Sequence, residues 1–234
     1  MDTVKLVIFA MCFVFGTYSA SGKPRCKFPA QWQSKVFFDF GLMFTVPTQA
    51  RASGTYYYDY LNNQTRLDLK GIDLAYNMSY DYTYIWKFNE SSFYTIDYIE
   101  KTCDREVQDG DFWKQWEGLP DAASLTSAGG IGGSQERFEQ YQFLKVVKKE
   151  DNEIVAVTID VKVGDICPPS RLIMEQYGFD PLGTFAYNYE FLDPTDIENP
   201  QKVFSDPPNC KNITTWNNAE RNHLIHRRIG PLMG

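Results

Sequence analysis

Tyr80-Asp81-Tyr82-Thr83-Tyr84-Ile85-Trp86-Lys87-Phe88 is the stretch that decides the class of fold. Its rings fall at every second position, and Asp81, Thr83, Ile85 and Lys87 take the other parity. A helix would scatter such a pattern around its axis. A strand sorts it into one aromatic face and one mostly polar face. Asn89-Glu90-Ser91-Ser92 then reads as a turn. Residues 93–100 read as the returning strand, with Tyr94, Ile96 and Tyr98 on one side.

The same grammar recurs on both sides of this hairpin. Tyr56, Tyr58 and Tyr60 alternate, Leu61-Asn62-Asn63-Gln64 turns, and Leu67 and Leu69 alternate on the way back. Val155, Val157, Ile159, Val161 and Val163 make the most β-branched strand of the chain. Phe185, Tyr187, Tyr189 and Phe191 alternate with Ala186, Asn188 and Glu190, and residues 36–44 are extended and aromatic. No long amphipathic helix appears, and short helices are expected only around 134–141 and 200–204. Residues 124–134, rich in Gly, Ser and Ala, are expected to form a loop. They lack the Lys-Ser/Thr of a phosphate-binding loop. Strands with one apolar face each must bury those faces together, so the expected fold is all-β, a sandwich or a barrel, closed or partly open.

The chain has 234 residues, a length that suits one all-β domain. Hydrophobic residues make up 43% and charged residues 23%, which excludes a disordered, collagenous or multi-pass membrane chain. Aromatic residues, at 16%, are the unusual feature, with 17 Phe, 15 Tyr and 5 Trp. A net charge of −7 and the lack of a basic stripe argue against nucleic acid as a partner.

Lys5, the apolar run 6–15 and the small residues Gly16, Ser19, Ala20, Ser21 and Gly22 read as a secretory signal peptide, assigned to 1–20. No later apolar run is long enough to span a bilayer, so no transmembrane span is expected in the mature chain. The assigned β domain runs over 21–210 and a polar tail over 211–234. The tail holds His223 and His226, read as solvated, and the basic pair Arg227-Arg228. Cys12 leaves with the signal. Cys26, Cys103, Cys167 and Cys210 remain, an even set suited to an oxidising compartment, and their spacing leaves all three pairings open. Four sequons begin at Asn63, Asn77, Asn89 and Asn212, so glycosylation is expected.

The order of local motifs resembles the ependymin-related family. The resembling elements are Cys26-Lys27-Phe28-Pro29-Ala30-Gln31-Trp32, the Tyr56 to Leu69 hairpin, Ile96-Asp97 to Cys103, and Gly118-Leu119-Pro120-Asp121-Ala122 leading to Gly132-Gly133-Ser134. Asp165-Ile166-Cys167-Pro168 and Asp206-Pro207-Pro208-Asn209-Cys210 complete the set. The resemblance covers Cys26 to Cys210, and the tail departs from it. It implies two stacked antiparallel sheets forming a half-open barrel, similar to bacterial lipoprotein carriers, with an apolar pocket and a homodimeric state. It also implies a secreted or lysosomal glycoprotein linked to calcium, cell–matrix adhesion and lipid-like ligands. The implied pairing joins Cys26 to Cys167 and Cys103 to Cys210.

Three function classes follow. In the first, an extracellular carrier, Tyr80, Tyr82, Tyr84, Trp86, Tyr187 and Tyr189 line a pocket for an apolar, lipid-like ligand. Their rings are apolar while Tyr and Trp keep a polar edge. In the second, an adhesion protein of the extracellular matrix, acidic loops bind calcium. Asp104, Asp109 and Asp111 form one such loop, and Asp193, Asp196 and Glu198 another. Neither has the EF-hand spacing, and solvated turns account for both. The third, an enzyme, is not expected. No G-x-S-x-G elbow occurs, the histidines lie in the tail, and bridged cysteines cannot be nucleophiles. No cofactor other than calcium is expected.

Overall fold

The computed structural model describes residues 26–43, 48–74, 77–107, 115–130, 136–148, 153–164, 166–177 and 184–213. The signal segment 1–20, Asp109, Asp111, His223, His226 and Arg227-Arg228 lie outside the described residues.

The chain first builds a meander of β1 (Gln31–Met43), β2 (Thr48–Asp59), β3 (Gln64–Asp73), β4 (Met78–Lys87), β5 (Ser92–Asp97) and β6 (Thr102–Val107). A second meander follows, made of β7 (Ser124–Gly130), β8 (Arg137–Lys148), β9 (Glu153–Lys162), β10 (Pro169–Tyr177) and β11 (Thr184–Thr195). β11 then pairs antiparallel with β1, which joins the two meanders into one sheet. A short helix α1 (Pro200–Val203) leads to β12 (Lys211–Ile213), which adds to β6 in parallel. The strand order is β12-β6-β5-β4-β3-β2-β1-β11-β10-β9-β8-β7, and the two end strands do not pair with each other. The expected all-β, half-open antiparallel architecture is present, and its two layers are the two halves of a single continuous sheet.

Residues of one parity line one face in rows that cross the sheet. One row runs Tyr141, Ile159, Leu172, Tyr189, Phe38, Ala52, Gly71, Tyr80, from β8 to β4. Another runs Trp32, Tyr58, Thr65, Trp86, Phe93, from β1 to β5. These faces form one buried cluster that reaches from Phe93 on β5 to Tyr141 and Phe143 on β8.

The sheet is curled, and two adjacent residues show it. Gln115 donates its side-chain amide to the Gln64 carbonyl on β3 at 2.8 Å. Trp116 packs edge-on against Phe143 on β8, ring centroids 5.1 Å apart. In a flat sheet β3 and β8, six neighbours apart in the strand order, would lie roughly 29 Å from each other. A single residue step bridges them here, so the aromatic face is the concave one. The Tyr58 hydroxyl donates to the Trp116 carbonyl, and Phe28 and Leu119 exchange backbone hydrogen bonds with Glu117 and Cys26. Residues 115–119 thereby form a plug at one end of the curled sheet.

Of the three cysteine pairings that spacing allows, the structure holds Cys26–Cys167, with Cα atoms 5.8 Å apart, and Cys103–Cys210, at 4.5 Å. The first ties the segment before β1 to the start of β10. The second ties the chain after α1 to β6.

That chain forms a strap over the convex face. Ile197 and Phe204 bury Ile85 and Tyr94 in a second small core, with Tyr57, Val203 and Cys210 packed around them. The Val203 carbonyl accepts from Arg66 at 2.8 Å, and Lys87 pairs with Asp206. α1 starts with Asn199 capping the Lys202 amide at 3.1 Å and with Pro200 in its first turn.

Four local expectations are corrected. Residues 124–130 are not a loop but the edge strand β7, because backbone pairing with β8 needs no side-chain pattern at a solvated edge. Residues 137–141 belong to strand β8 rather than a helix, since Tyr141 and Phe143 alternate into the concave core. The strand read over 80–88 stops at Lys87, where Phe88 begins a single 3-10 turn, and the mostly polar second face of β4 is partly covered. Ile85 is buried by the strap, and Thr83 is buried with its hydroxyl donating to Asp68 at 2.6 Å. The strand after Ser92 ends at Asp97, whose carboxylate accepts the amides of Ile99 at 2.8 Å and Glu100 at 3.0 Å and so makes a turn.

Candidate functional site

The concave face carries two banks of rings. On β4 and β5, Tyr80, Tyr82, Tyr84, Trp86 and Phe93 form a chain with centroids 5.1–6.2 Å apart. Tyr82 and Tyr84 are stacked, with 17° between their planes. On β1 and β11, Phe38 meets Tyr189 at 4.8 Å and Phe40 meets Tyr187 at 4.9 Å. Ala50, Ala52, Gly54 and Gly71 lie on the strands between the banks, β2 and β3. A Cβ on Gly71 would stand 2.1 Å from the Arg51 carbonyl, so this position admits no side chain. The floor between the rings is therefore low.

All six residues read from the sequence as pocket residues lie on this face. Tyr84, Trp86, Tyr187 and Tyr189 are buried, and Tyr80 and Tyr82 are half-buried at one side. Three further residues belong with them. Trp32 sits 5.4 Å from both Tyr56 and Phe191, and Tyr56 sits 5.5 Å from Phe191. The alternations that include Tyr56 and Phe191 were the signals for two of these. Nothing local in the sequence marked Trp32, which gains its place from the β1–β2 and β1–β11 registers.

The polar edges of these rings are the chemically unusual part. The Trp32 Nε1, the Tyr56 hydroxyl and the Tyr189 hydroxyl are buried and have no hydrogen-bond partner among the described residues. A buried polar atom left unpaired costs about 1–3 kcal/mol, and native interiors hold few of them. Burial pushes the Tyr56, Tyr84 and Tyr189 phenols well above their ordinary range, because a phenolate there has lost its water. The neighbouring phenols add to the shift: Tyr80 acts on both Tyr84 and Tyr189, and Tyr56 acts on Tyr189. Tyr80 and Tyr82 are raised too, first by burial, and in Tyr82 also by the adjacent Asp97 carboxylate. All these groups are neutral at physiological pH and act as O–H donors or acceptors. No Lys or Arg is buried among the described residues, and the buried rings of the concave face have no buried cation among them.

The sequons lie away from this face. Asn63 and Asn77 occupy left-handed turn positions with φ of 53° and 52°, where Asn is favoured. Asn89 sits in the turn between β4 and β5, and Asn212 on β12 beside Arg105. Asp193, Asp196 and Glu198 are exposed, and among the described residues no group of three His, Cys, Asp or Glu is placed to hold a metal ion. Among the described residues no helix is long and apolar enough to cross a membrane.

No family model matches the chain, and no curated protein matches it in sequence. Among solved structures, it is similar to the crystal structure of a LolA superfamily protein from Nitrosomonas europaea. That match has 10% identity and a TM-score of 0.38, and covers 78% of this chain and 93% of the other.

Proposed function

We propose that this chain is a secreted, ependymin-related binding protein that carries an apolar, lipid-like molecule against the concave face of its sheet. One observation carries the reading. Three hydrogen-bonding atoms, Trp32 Nε1, Tyr56 Oη and Tyr189 Oη, are buried among rings without a partner among the described residues. A sequence selected only for a stable core has no use for them, since phenylalanine in place of either tyrosine removes the unpaired hydroxyl and keeps the ring. In a ligand site they are the few polar groups that orient an otherwise apolar guest.

The same atoms narrow the guest. They offer N–H and O–H donors, and among the described residues no buried cation stands beside them. A free carboxylate would enter as an unpaired buried charge, which is costly. A neutral hydrogen-bond acceptor, such as the carbonyl of an acyl ester, loses no charge hydration on entry. The low floor at Ala50, Ala52 and Gly71 lets a chain-like guest lie between the two banks of rings.

Titration with a long-chain acyl methyl ester and with the matching free acid, read by tryptophan fluorescence at neutral pH, tests this reading. The ester is expected to bind more tightly by about tenfold or more, the scale of one uncompensated charge. Binding of neither, or equal binding of a water-soluble short-chain ester, contradicts it.

A further inference from the structure

The sequons at Asn63 and Asn89 are 26 residues apart in the chain and in direct contact in the fold: the Asn63 side-chain amide donates to the Asn89 side-chain oxygen at 2.9 Å. The Asn89 amide in turn donates to the Asn62 carbonyl at 3.3 Å. The register that pairs Gln64 with Lys87 brings the two turns to one end of the sheet, and the Phe88 amide donates to the Asn63 carbonyl at 3.0 Å. This is also the plugged end, since Gln115 binds the Gln64 carbonyl. Leu61, exposed to 67%, projects from the same turn.

The two sequons differ in what folding leaves of them. An N-linked sequon is read as Asn together with the hydroxyl two residues on. For Asn63 that hydroxyl belongs to Thr65, which is 1% exposed and lies between Tyr58 on β2 and Trp86 on β4. Reading it requires β3 to leave both neighbours. For Asn89 it belongs to Ser91, at the left-handed end of a turn (φ 48°) and half-exposed, with Asn89 itself exposed.

We propose that Asn63 and Asn89 form one paired N-glycan site over the plugged end. Asn63 accepts its oligosaccharide only before β2, β3 and β4 close on one another, while Asn89 stays open to modification afterwards. In each transfer the asparagine amide nitrogen forms a bond to C1 of the first sugar of a lipid-diphosphate-linked oligosaccharide. The bond from C1 to the phosphate oxygen breaks, the lipid diphosphate leaves with the bonding pair, and the amide gives up one proton. Each amide nitrogen carries two hydrogens and uses one in the hydrogen bonds above, so a sugar replaces the other. The paired sugars then cover Leu61. The inference rests on the secretory part of the proposed function and is independent of the carried ligand.

The test uses the full chain exported through a eukaryotic secretory pathway behind a heterologous leader, so that failure of its own leader is scored separately. Site mapping after enzymatic deglycosylation is expected to find sugar at both Asn63 and Asn89. Unglycosylated, disulfide-bonded protein is then offered to an oligosaccharyltransferase with the lipid-linked donor. The folded protein is expected to be modified at Asn89 at least roughly tenfold faster than at Asn63, and the reduced, unfolded protein at both with similar rates. Thr65→Ala and Ser91→Ala, which remove one sequon each, assign the signals. Equal rates at the two sites in the folded protein, or an exported protein bare at Asn63, overturns the proposal.

Discussion

Trp116 stands edge-on against Phe143, their ring planes at 71°, and this contact fastens the plug to the far half of the sheet. Neither residue belongs to the first meander, yet the chain position next to Trp116 is hydrogen-bonded to it through Gln64. The contact thus holds the curl directly rather than by strand pairing. Trp116→Ala is expected to lower the unfolding free energy by about 2–3 kcal/mol, somewhat less than for a fully buried tryptophan. A urea denaturation midpoint checks this, and an unchanged midpoint would mean that the curl does not depend on the plug.

The unpaired hydroxyls make a prediction with two signs. Tyr56→Phe and Tyr189→Phe each remove a buried polar atom that has no partner among the described residues, and keep the ring. Ligand-free protein is expected to gain up to about 1 kcal/mol of stability from each change. Affinity for the neutral ester is expected to fall by a few-fold to about tenfold. Melting with and without ligand separates the two. Loss of stability in the ligand-free protein would show that the hydroxyls are satisfied within the chain.

Alkali tests the burial of the phenols. Tyr56, Tyr84 and Tyr189 stay protonated in the folded chain well past the value of about 10 at which an unfolded tyrosine ionises. Above that pH the unfolded state releases protons that the folded state keeps. Their contribution to stability is therefore whole below pH 10 and falls above it, by about 1.4 kcal/mol per pH unit for each such phenol. Absorbance at 295 nm is expected to rise in two stages, the exposed tyrosines first and the buried ones in a cooperative step with unfolding. A single smooth titration of all the tyrosines would contradict the buried placement.

The Cys103–Cys210 bond anchors the strap, so its loss has a local signature. In the double variant Cys103→Ser/Cys210→Ser, hydrogen exchange is expected to quicken in β6, in 211–213 and in the strap that covers Ile85 and Tyr94. β1, β2 and β11 are expected to keep their protection. Uniform loss of protection would assign this bond to the whole fold instead.

The sequence was most legible where one side chain in two settles the question. The alternation of Tyr80, Tyr82, Tyr84 and Trp86 defines a strand by itself, and Tyr84 and Trp86 on the aromatic face it assigns are buried. The alternation at Tyr187 and Tyr189 worked in the same way. Legibility failed where backbone pairing or a distant segment decides. β7 is written in Ser, Ala and Gly, which carry no pattern, and only its register with β8 makes it a strand. Ile85 looked like one apolar residue on a polar face because the residues that cover it, Ile197 and Phe204, come more than a hundred positions later. Trp32 and Tyr56 meet across a strand pair, and their missing hydrogen bonds have no trace in the sequence. The contact of Asn63 with Asn89 required two turns to land side by side, although each turn alone was readable.

Native mass spectrometry of the protein purified from a secreting eukaryotic culture, after removal of glycans, tests the carrier reading most directly. The account predicts a population heavier than the bare chain by the mass of one neutral, lipid-sized molecule. That mass should disappear on extraction with organic solvent and be depleted in the Tyr56→Phe/Tyr189→Phe variant. A single species at the mass of the bare chain, unchanged after incubation with the acyl ester, would contradict it.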